Sequence, residues 1–189
     1  MKYSSDGENW TQWDYANETL NLPAGETLYF KGDNSTGFYS NNGERRRFVL
    51  NTGKVNASGN IQSLVYDDNF VNNNTIPCNY CFAYLFYNCT ALTTAPVLPA
   101  TTLAQNCYQN MFVGCTSLTT APVLPATTLA NGCYSYMFGE GYGNKGCTSL
   151  TTAPVLPATT LAQNCYQNMF NGCTGLTTAP ELPATTLAS

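Results

Sequence analysis

Cys107-Tyr108-Gln109-Asn110-Met111-Phe112-Val113-Gly114-Cys115-Thr116-Ser117-Leu118-Thr119-Thr120-Ala121-Pro122-Val123-Leu124-Pro125-Ala126-Thr127-Thr128-Leu129-Ala130 is the stretch on which the reading of this chain turns. It returns almost unchanged from Cys165, returns with an insertion from Cys133, and has a looser copy from Cys81. Cys81 to Cys107 and Cys107 to Cys133 are steps of 26 residues; Cys133 to Cys165 is a step of 32, lengthened by residues 139–146. A fixed period of this size marks units that each bury their apolar face only against the next.

Each unit reads as two halves. Leu103, Cys107, Met111 and Cys115 recur every four residues, with Tyr108 and Phe112 one step round. That spacing predicts a short helix with one buried face, ended by Gly114. In the second half, Leu118, Ala121 and Val123 fit the inward positions of a short strand, and Thr120 and Pro122 face outward. Pro122 has no N–H, so no continuous ladder can cross it. Ala126-Thr127-Thr128-Leu129 reads as a second extended piece. Aligned copies give columns, one of Phe86, Phe112, Phe138 and Phe170, another of Leu92, Leu118, Leu150 and Leu176, at about 5 Å spacing where backbones pair.

The unit Cys-Tyr-x-x-Met-Phe-x-Gly-Cys-Thr-Ser-Leu-Thr-Thr-Ala-Pro-x-Leu-Pro-Ala-Thr-Thr-Leu-Ala resembles the BspA-like leucine-rich repeats of Bacteroides-type bacteria and their phages. The resemblance covers residues 81–189, and residues 55–64 resemble the region that precedes such repeats. It implies a right-handed leucine-rich solenoid on secreted or surface proteins, some of them adhesive toward host matrix proteins and other bacteria, and it carries no catalytic motif. The expected fold is an α/β solenoid of four coils over residues 76–189, preceded by a small antiparallel β domain over residues 1–75 that caps the array.

That first part has a different texture. It holds nine of the eleven acidic residues and six of the seven basic ones. Leu20 and Leu22, a Pro23-Ala24-Gly25-Glu26 turn, then Leu28 and Phe30 read as a hairpin. Phe48 and Leu50, a Thr52-Gly53-Lys54 turn, then Val55 and Ala57 read as a second, and residues 61–65 as a further strand. Trp10 and Trp13 are the expected anchors of its core. Ser4-Ser5-Asp6-Gly7-Glu8-Asn9-Trp10 is similar to the Asp-box turns of sialidase-type propellers but one residue short, and reads as an Asp-Gly hairpin turn.

The composition narrows the chemistry. There is no histidine, which removes the commonest general base and metal ligand. Charged residues are 10% and the net charge is −4, which argues against nucleic acid as a partner. Arg45-Arg46-Arg47 is the one basic cluster and reads as a solvated strand end. No apolar run reaches the length of a membrane span. Asp67-Asp68 reads as a solvated turn in preference to a calcium site. Cys78-x-x-Cys81 has zinc-knuckle spacing, but a lone pair is half a site. Cys81, Cys89, Cys107, Cys115, Cys133, Cys147, Cys165 and Cys173 recur at fixed repeat positions and read as structural buried cysteines. Spacing of about 5 Å between copies also permits disulfides between them. No catalytic residue, cofactor or metal ligand is assigned.

The expected function is therefore non-enzymatic recognition or adhesion, directed at a surface protein or glycan of host or bacterium, outside the cell or at its surface. The candidate contact residues are Tyr142, Glu140 and Lys145 in the Gly-rich insertion, since insertions in repeat proteins often serve binding, and the outward Thr120 and Thr152. The alternative is a phage virion component: a fibre, decoration or receptor-binding module. Met1-Lys2-Tyr3-Ser4-Ser5-Asp6-Gly7 is not a secretory signal, which favours that alternative. The array stops at Leu187-Ala188-Ser189 where another unit is due, so a homo-oligomer or a continuation of the array is an expected partner.

Overall fold

Asparagine and glycine accept left-handed backbone that other residues resist, and in the repeats they fall at every fourth position. Positive φ occurs at Asn106, Asn110 and Gly114, and again at Asn164, Asn168 and Gly172. Gly132 and Tyr136 hold the corresponding places in the third copy, and Tyr80, Tyr84 and Asn88 in the first. Each such residue is third in a hydrogen-bonded turn, as in a type II turn. In the second copy these turns are closed by Cys107 N–H to Ala104 O (3.3 Å), Met111 N–H to Tyr108 O (3.2 Å) and Cys115 N–H to Phe112 O (3.1 Å). Overlapping turns between them are closed by Gln109 N–H to Asn106 O and Val113 N–H to Asn110 O. Only every second N–H is used inside the copy. The others leave it: Asn106, Tyr108, Asn110 and Phe112 donate to the carbonyls of Asn131, Cys133, Ser135 and Met137 in the next copy, at 2.8–3.0 Å.

This computed structural model, which describes residues 1–14, 18–39, 45–141 and 143–187, corrects the expected α/β solenoid of four coils. Among the described residues the one α-helix is α1, Ser63–Tyr66, followed by a 3-10 helix at Asp67–Asn72. Both lie outside the repeats, and the strands form three small separate sheets. Most of the chain is turn or irregular backbone. The helix expected from Leu103 to Cys115 is the run of turns just described, because an α-helix would consume all of these N–H groups internally. The strand half is corrected as well. Pro122 is buried and Val123 is 76% exposed, the reverse of their expected orientation, while Leu118 and Leu124 are buried.

The chain begins with a three-stranded antiparallel sheet of order β2-β1-β3, formed by Lys2–Ser4 (β1), Thr11–Gln12 (β2) and Tyr29–Lys31 (β3). The β1–β2 connection is the Asp-Gly turn. The Asp6 carboxylate accepts from Ser4 Oγ, Glu8 N–H, Asn9 N–H and Asn9 Nδ2 at 2.7–2.8 Å. The Asn9 side chain, then its backbone N–H, hold this carboxyl well below the usual carboxylate range. The expected hairpin over residues 20–30 does not form, since β3 pairs with β1. The second expected hairpin also fails: Val55–Asn56 (β4) pairs in parallel with Leu92–Thr94 (β5) in the first repeat. The strand expected at 61–65 is mostly α1. Trp13 and Trp10 are half-buried; Trp13 packs on Phe30 at 5.5 Å, and the Lys31 ammonium lies 4.4 Å from the Trp10 ring centre.

Residues 37–39 and 45–61 lie on the first repeat as the repeats lie on one another. Phe38, Phe48, Val55, Ala57 and Ile61 donate their N–H groups to Cys81, Leu85, Ala91, Thr94 and Val97. Two ring columns therefore begin before the first recognisable repeat. Phe48, Phe86, Phe112, Phe138 and Phe170 stack at 5.3–5.7 Å. Phe38, Phe82, Tyr108, Tyr134 and Tyr166 stack at 5.8–6.1 Å. The leucine column is buried at Leu92, Leu118 and Leu150 and half-buried at Leu176. Parallel bridges join Thr94 to Thr120 and Thr120 to Thr152. Farther along, Thr160–Leu161 (β6) pairs in parallel with Thr186–Leu187 (β7).

The N-terminal sheet is tied to the 3-10 helix by Lys2 to Asp67 (2.7 Å), Lys31 to Asp67 (3.3 Å) and Lys31 to Asp68 (2.7 Å). Burial pulls the Asp67 carboxyl up, but the Lys2 and Lys31 hydrogen bonds together outweigh it and leave its pKa below 3.8. A carboxyl lowered by folding contributes stability above its unfolded value, and that contribution is lost as pH falls through the folded one. Two outcomes are expected in urea titrations. Asp67→Asn destabilises at neutral pH, and its deficit against the parent shrinks on acidification from about pH 5 to about pH 2. Asn168→Gly is at least as stable as the parent while Asn168→Val is weaker by roughly 1–2 kcal/mol. In an α-helix the order would be reversed, with Gly the worse residue.

Candidate binding surface

The insertion in the third copy does not break the run of turns. Cys147 N–H bonds Phe138 O at 2.9 Å, as Cys115 N–H bonds Phe112 O in the regular copy. Residues 139–146 are thus looped out between the two ends of one turn. The two ends of the loop face opposite neighbours. Lys145 O accepts from Gly114 N–H of the preceding copy (2.9 Å), and Glu140 N–H donates to Asn171 O of the following one (2.7 Å). Within the loop, Gly141 and Asn144 exchange both backbone bonds at 3.0–3.1 Å.

A comparable closure lies in the segment before the first repeat. Arg46 N–H bonds Phe38 O across an enlarged turn, and Tyr39 and Arg45 form an antiparallel bridge. Both segments reach Tyr87. Tyr39 packs on Tyr80 (5.2 Å) and Tyr84 (5.6 Å), and the Arg45 guanidinium sits 4.1 Å from the Tyr84 ring centre. Arg47 lies over Tyr87 and donates to its backbone carbonyl. From the other side, Asn144 Nδ2 donates to the Tyr87 hydroxyl (2.7 Å), and that hydroxyl donates to Gly141 O (3.4 Å). Tyr84 and Tyr87 are buried under these contacts; Tyr39, Tyr80 and Tyr136 are half-buried at the margin.

The patch carries strain. Tyr80, Tyr84 and Tyr136 have φ of 56°, 62° and 54° at positions where other copies place Asn or Gly, a conformation that costs an L side chain roughly 1–2 kcal/mol. Residues held in such backbone cluster at functional sites when their surroundings over-determine them. Composition gave no hint of this patch. The sequence signal was the substitution of Tyr for Asn or Gly at every-fourth positions. Of the arginine cluster, expected as a solvated strand end, Arg45 and Arg47 are exposed and lie over the Tyr84 and Tyr87 rings.

Of the sequence-derived contact residues, Tyr142 lies outside the described residues. Glu140 is exposed, and its Oε1 accepts from Asn171 Nδ2 at 3.0 Å; Lys145 is exposed beside it in the loop. Thr120 and Thr152 are exposed and bridged to each other, forming with Thr94 a separate row. Among the described residues no hydrogen bond or ring contact joins that row to the two segments. The row is flanked by exposed valines, Val97, Val123 and Val155.

The eight repeat cysteines, Cys81, Cys89, Cys107, Cys115, Cys133, Cys147, Cys165 and Cys173, are buried free thiols. The second of each copy is a donor. Cys89, Cys115, Cys147 and Cys173 Sγ reach Phe48 O, Phe86 O, Phe112 O and Phe138 O of the preceding copy at 3.1–3.2 Å. Each of the last three carbonyls also takes the N–H of its own copy's cysteine, so both its lone pairs are used. Burial pushes these thiols up, Cys89 and Cys173 to about 11, and Cys115 and Cys147 well above the ordinary value. They are thus held in the protonated form that donates.

A depression of about 410 Å³ lined by Val155, Leu156, Pro157, Glu181, Leu182 and Pro183 holds one ionisable group, Glu181. Among the described residues no group of three or more Cys, Asp or Glu is placed to hold a metal ion. None of their helices is long and apolar enough to cross a membrane.

Deleting residues 139–144 would leave Lys145 and Gly146 to fill one ordinary turn. The shortened chain is expected to unfold cooperatively, within about 1 kcal/mol of the parent, since closing a loop of this size costs little. Chemical denaturation followed by tryptophan fluorescence checks it. No family model matches the chain, and neither a curated protein nor a solved structure matches it.

Proposed function

We propose that the protein is a non-enzymatic recognition module that binds a surface protein or glycan of a host or bacterium through the tyrosine face. One observation carries this reading: two segments, about a hundred residues apart in the chain, meet at Tyr87, which packs on Tyr84, and half-buried tyrosines and two arginines border the pair. Tyrosine supplies large, rigid contact area with little entropy lost on binding, and arginine supplies hydrogen-bond donors. The turn run that bears them is a stiff platform, since its backbone is bonded to both neighbouring copies. Tyr142, by its place in the sequence between Gly141 and Gly143, is the residue best placed to add a contact. The bacterial-surface setting rests on the likeness of the repeat unit to BspA-like repeats.

The test is retention of the purified protein on three supports: washed bacterial cells, immobilised matrix proteins and insoluble polysaccharides. Retention on at least one is expected. Tyr39→Ala combined with deletion of residues 139–144 should lower it by about tenfold or more, the scale of losing one or two anchor residues. Thr120→Glu with Thr152→Glu should leave it within about twofold. Retention on none of the supports, or loss caused only by the threonine changes, would sink the assignment to this face.

A further inference from the structure

Cys78 is the one cysteine outside the repeated positions. It stands where the other copies have Ala104, Ala130 and Ala162, three residues before the leading cysteine. In those copies the pair closes a tight turn, with Cys107, Cys133 and Cys165 N–H bonding the alanine carbonyl at 3.2–3.3 Å. Residues 79 and 80 are turn backbone in the first copy too, and Tyr80 has the same positive φ. A turn of this kind brings its first and fourth Cα atoms within about 7 Å, overlapping the 4.4–6.8 Å range that a disulfide needs.

The two sulfurs differ in access. Cys81 is fully buried and Cys78 is half-exposed. Gly37 marks how closely they approach. A Cβ built on Gly37 would stand 2.7 Å from Cys81 Cα and 3.0 Å from Cys78 Sγ, so the Cys78 sulfur reaches back over Cys81 beneath the Gly37 backbone. Phe38 N–H bonds Cys81 O at 2.8 Å and fixes that cover. The Cys81 thiol donates toward the Cys78 sulfur and holds Cys78 below the ordinary thiol value, with burial opposing. The same bond, then burial, pushes Cys81 up. The phenol of Tyr66 is close by; burial first, then the nearby Cys81 and Cys78, push it up.

We infer that Cys78 and Cys81 form a reversible dithiol–disulfide site, with Cys78 the attacking sulfur and low-molecular-weight disulfides its substrate class. The Cys78 thiolate attacks one sulfur of R–S–S–R, forms a Cys78–S–S–R mixed disulfide and releases RS⁻. Cys81 then loses its proton to solvent and attacks the Cys78 sulfur, expelling the second RS⁻. Two thiols become one disulfide, and R–S–S–R becomes two RSH. Thiolate character and access decide which cysteine reacts, and the remaining repeat thiols lack both. The bond would lie at the seam where Gly37 and Phe38 meet the first repeat.

The probe is glutathione. Reduced native protein is equilibrated with a series of oxidised-to-reduced glutathione ratios, quenched in acid, unfolded, alkylated and digested. A peptide holding Cys78 and Cys81, lighter by two hydrogens and unalkylated, is expected, with the other seven cysteines alkylated. In Cys81→Ser, glutathione should be trapped on Cys78, at least about tenfold faster than on any repeat cysteine. Cys78→Ala places the residue of the other copies at this position; it should keep the parent's thermal unfolding and take up no glutathione at Cys81. The inference is overturned if Cys78 and Cys81 stay alkylated at every ratio. It is equally overturned if Cys78 joins a different cysteine, or if glutathione accumulates on repeat thiols as fast as on Cys78.

Discussion

The rest of the structure depends on one hydrogen-bonding constraint: in the first half of each repeat, alternate peptide N–H groups point out of the copy and must find a carbonyl in the next. Asn106, Tyr108, Asn110 and Phe112 do this in the second copy, and the pattern recurs from residue to residue in its neighbours. Buried N–H groups left without partners are costly, so the copies cannot slide or separate singly. The side chains follow from the register so fixed. Rings stack at 5.3–6.1 Å because the backbone holds equivalent positions at that spacing. Thiols bond back to the phenylalanine carbonyls for the same reason.

This explains which parts of the sequence could be read directly. The phenylalanine and leucine columns follow from aligning copies, and alignment needs no knowledge of the backbone. The backbone differs from what this spacing suggests. Leu103, Cys107, Met111 and Cys115 are spaced by a strict four, and on a helix of 3.6 residues per turn each such step drifts by about 40°. Asn106, Asn110 and Gly114 keep the same strict period, and residues tolerant of left-handed backbone at that interval point to turns. The strand half was inverted because Val123 looks like an inward residue; Pro122 and Leu124 take the interior instead. The segment before the first repeat does not read as a copy because Phe38 and Phe48 stand farther apart than Phe82 and Phe86 and the Thr-Thr-Ala-Pro signature is missing.

The tyrosine face was hidden for a different reason. None of its members is unusual alone, and Tyr39, Arg45, Tyr87 and Asn144 meet only because two segments, far apart in sequence, come to one place. The insertion was legible as a loop of interest, but its inner partners were not. What the sequence offered as outward threonines is a second surface, Thr94, Thr120 and Thr152, made of ordinary repeat positions. The first surface is particular to two copies and the second is common to the array, a division expected when binding is grafted onto a scaffold that is otherwise uniform.

The two segments enter at different turns, one closed by Arg46 N–H on Phe38 O and the other by Cys147 N–H on Phe138 O. At Phe138 the bond that would close an ordinary four-residue turn closes around the extra residues; at Phe38 the donor, Arg46, stands one residue before the regular position; and the rings at Phe38 and Phe138 keep their places in the columns. The turn run therefore behaves as a row of sockets. At the Phe138 turn the two central residues are replaced by a longer segment and the closing bond is kept. A chain of this kind can acquire new surface chemistry by local insertion, independently of the number of copies it carries.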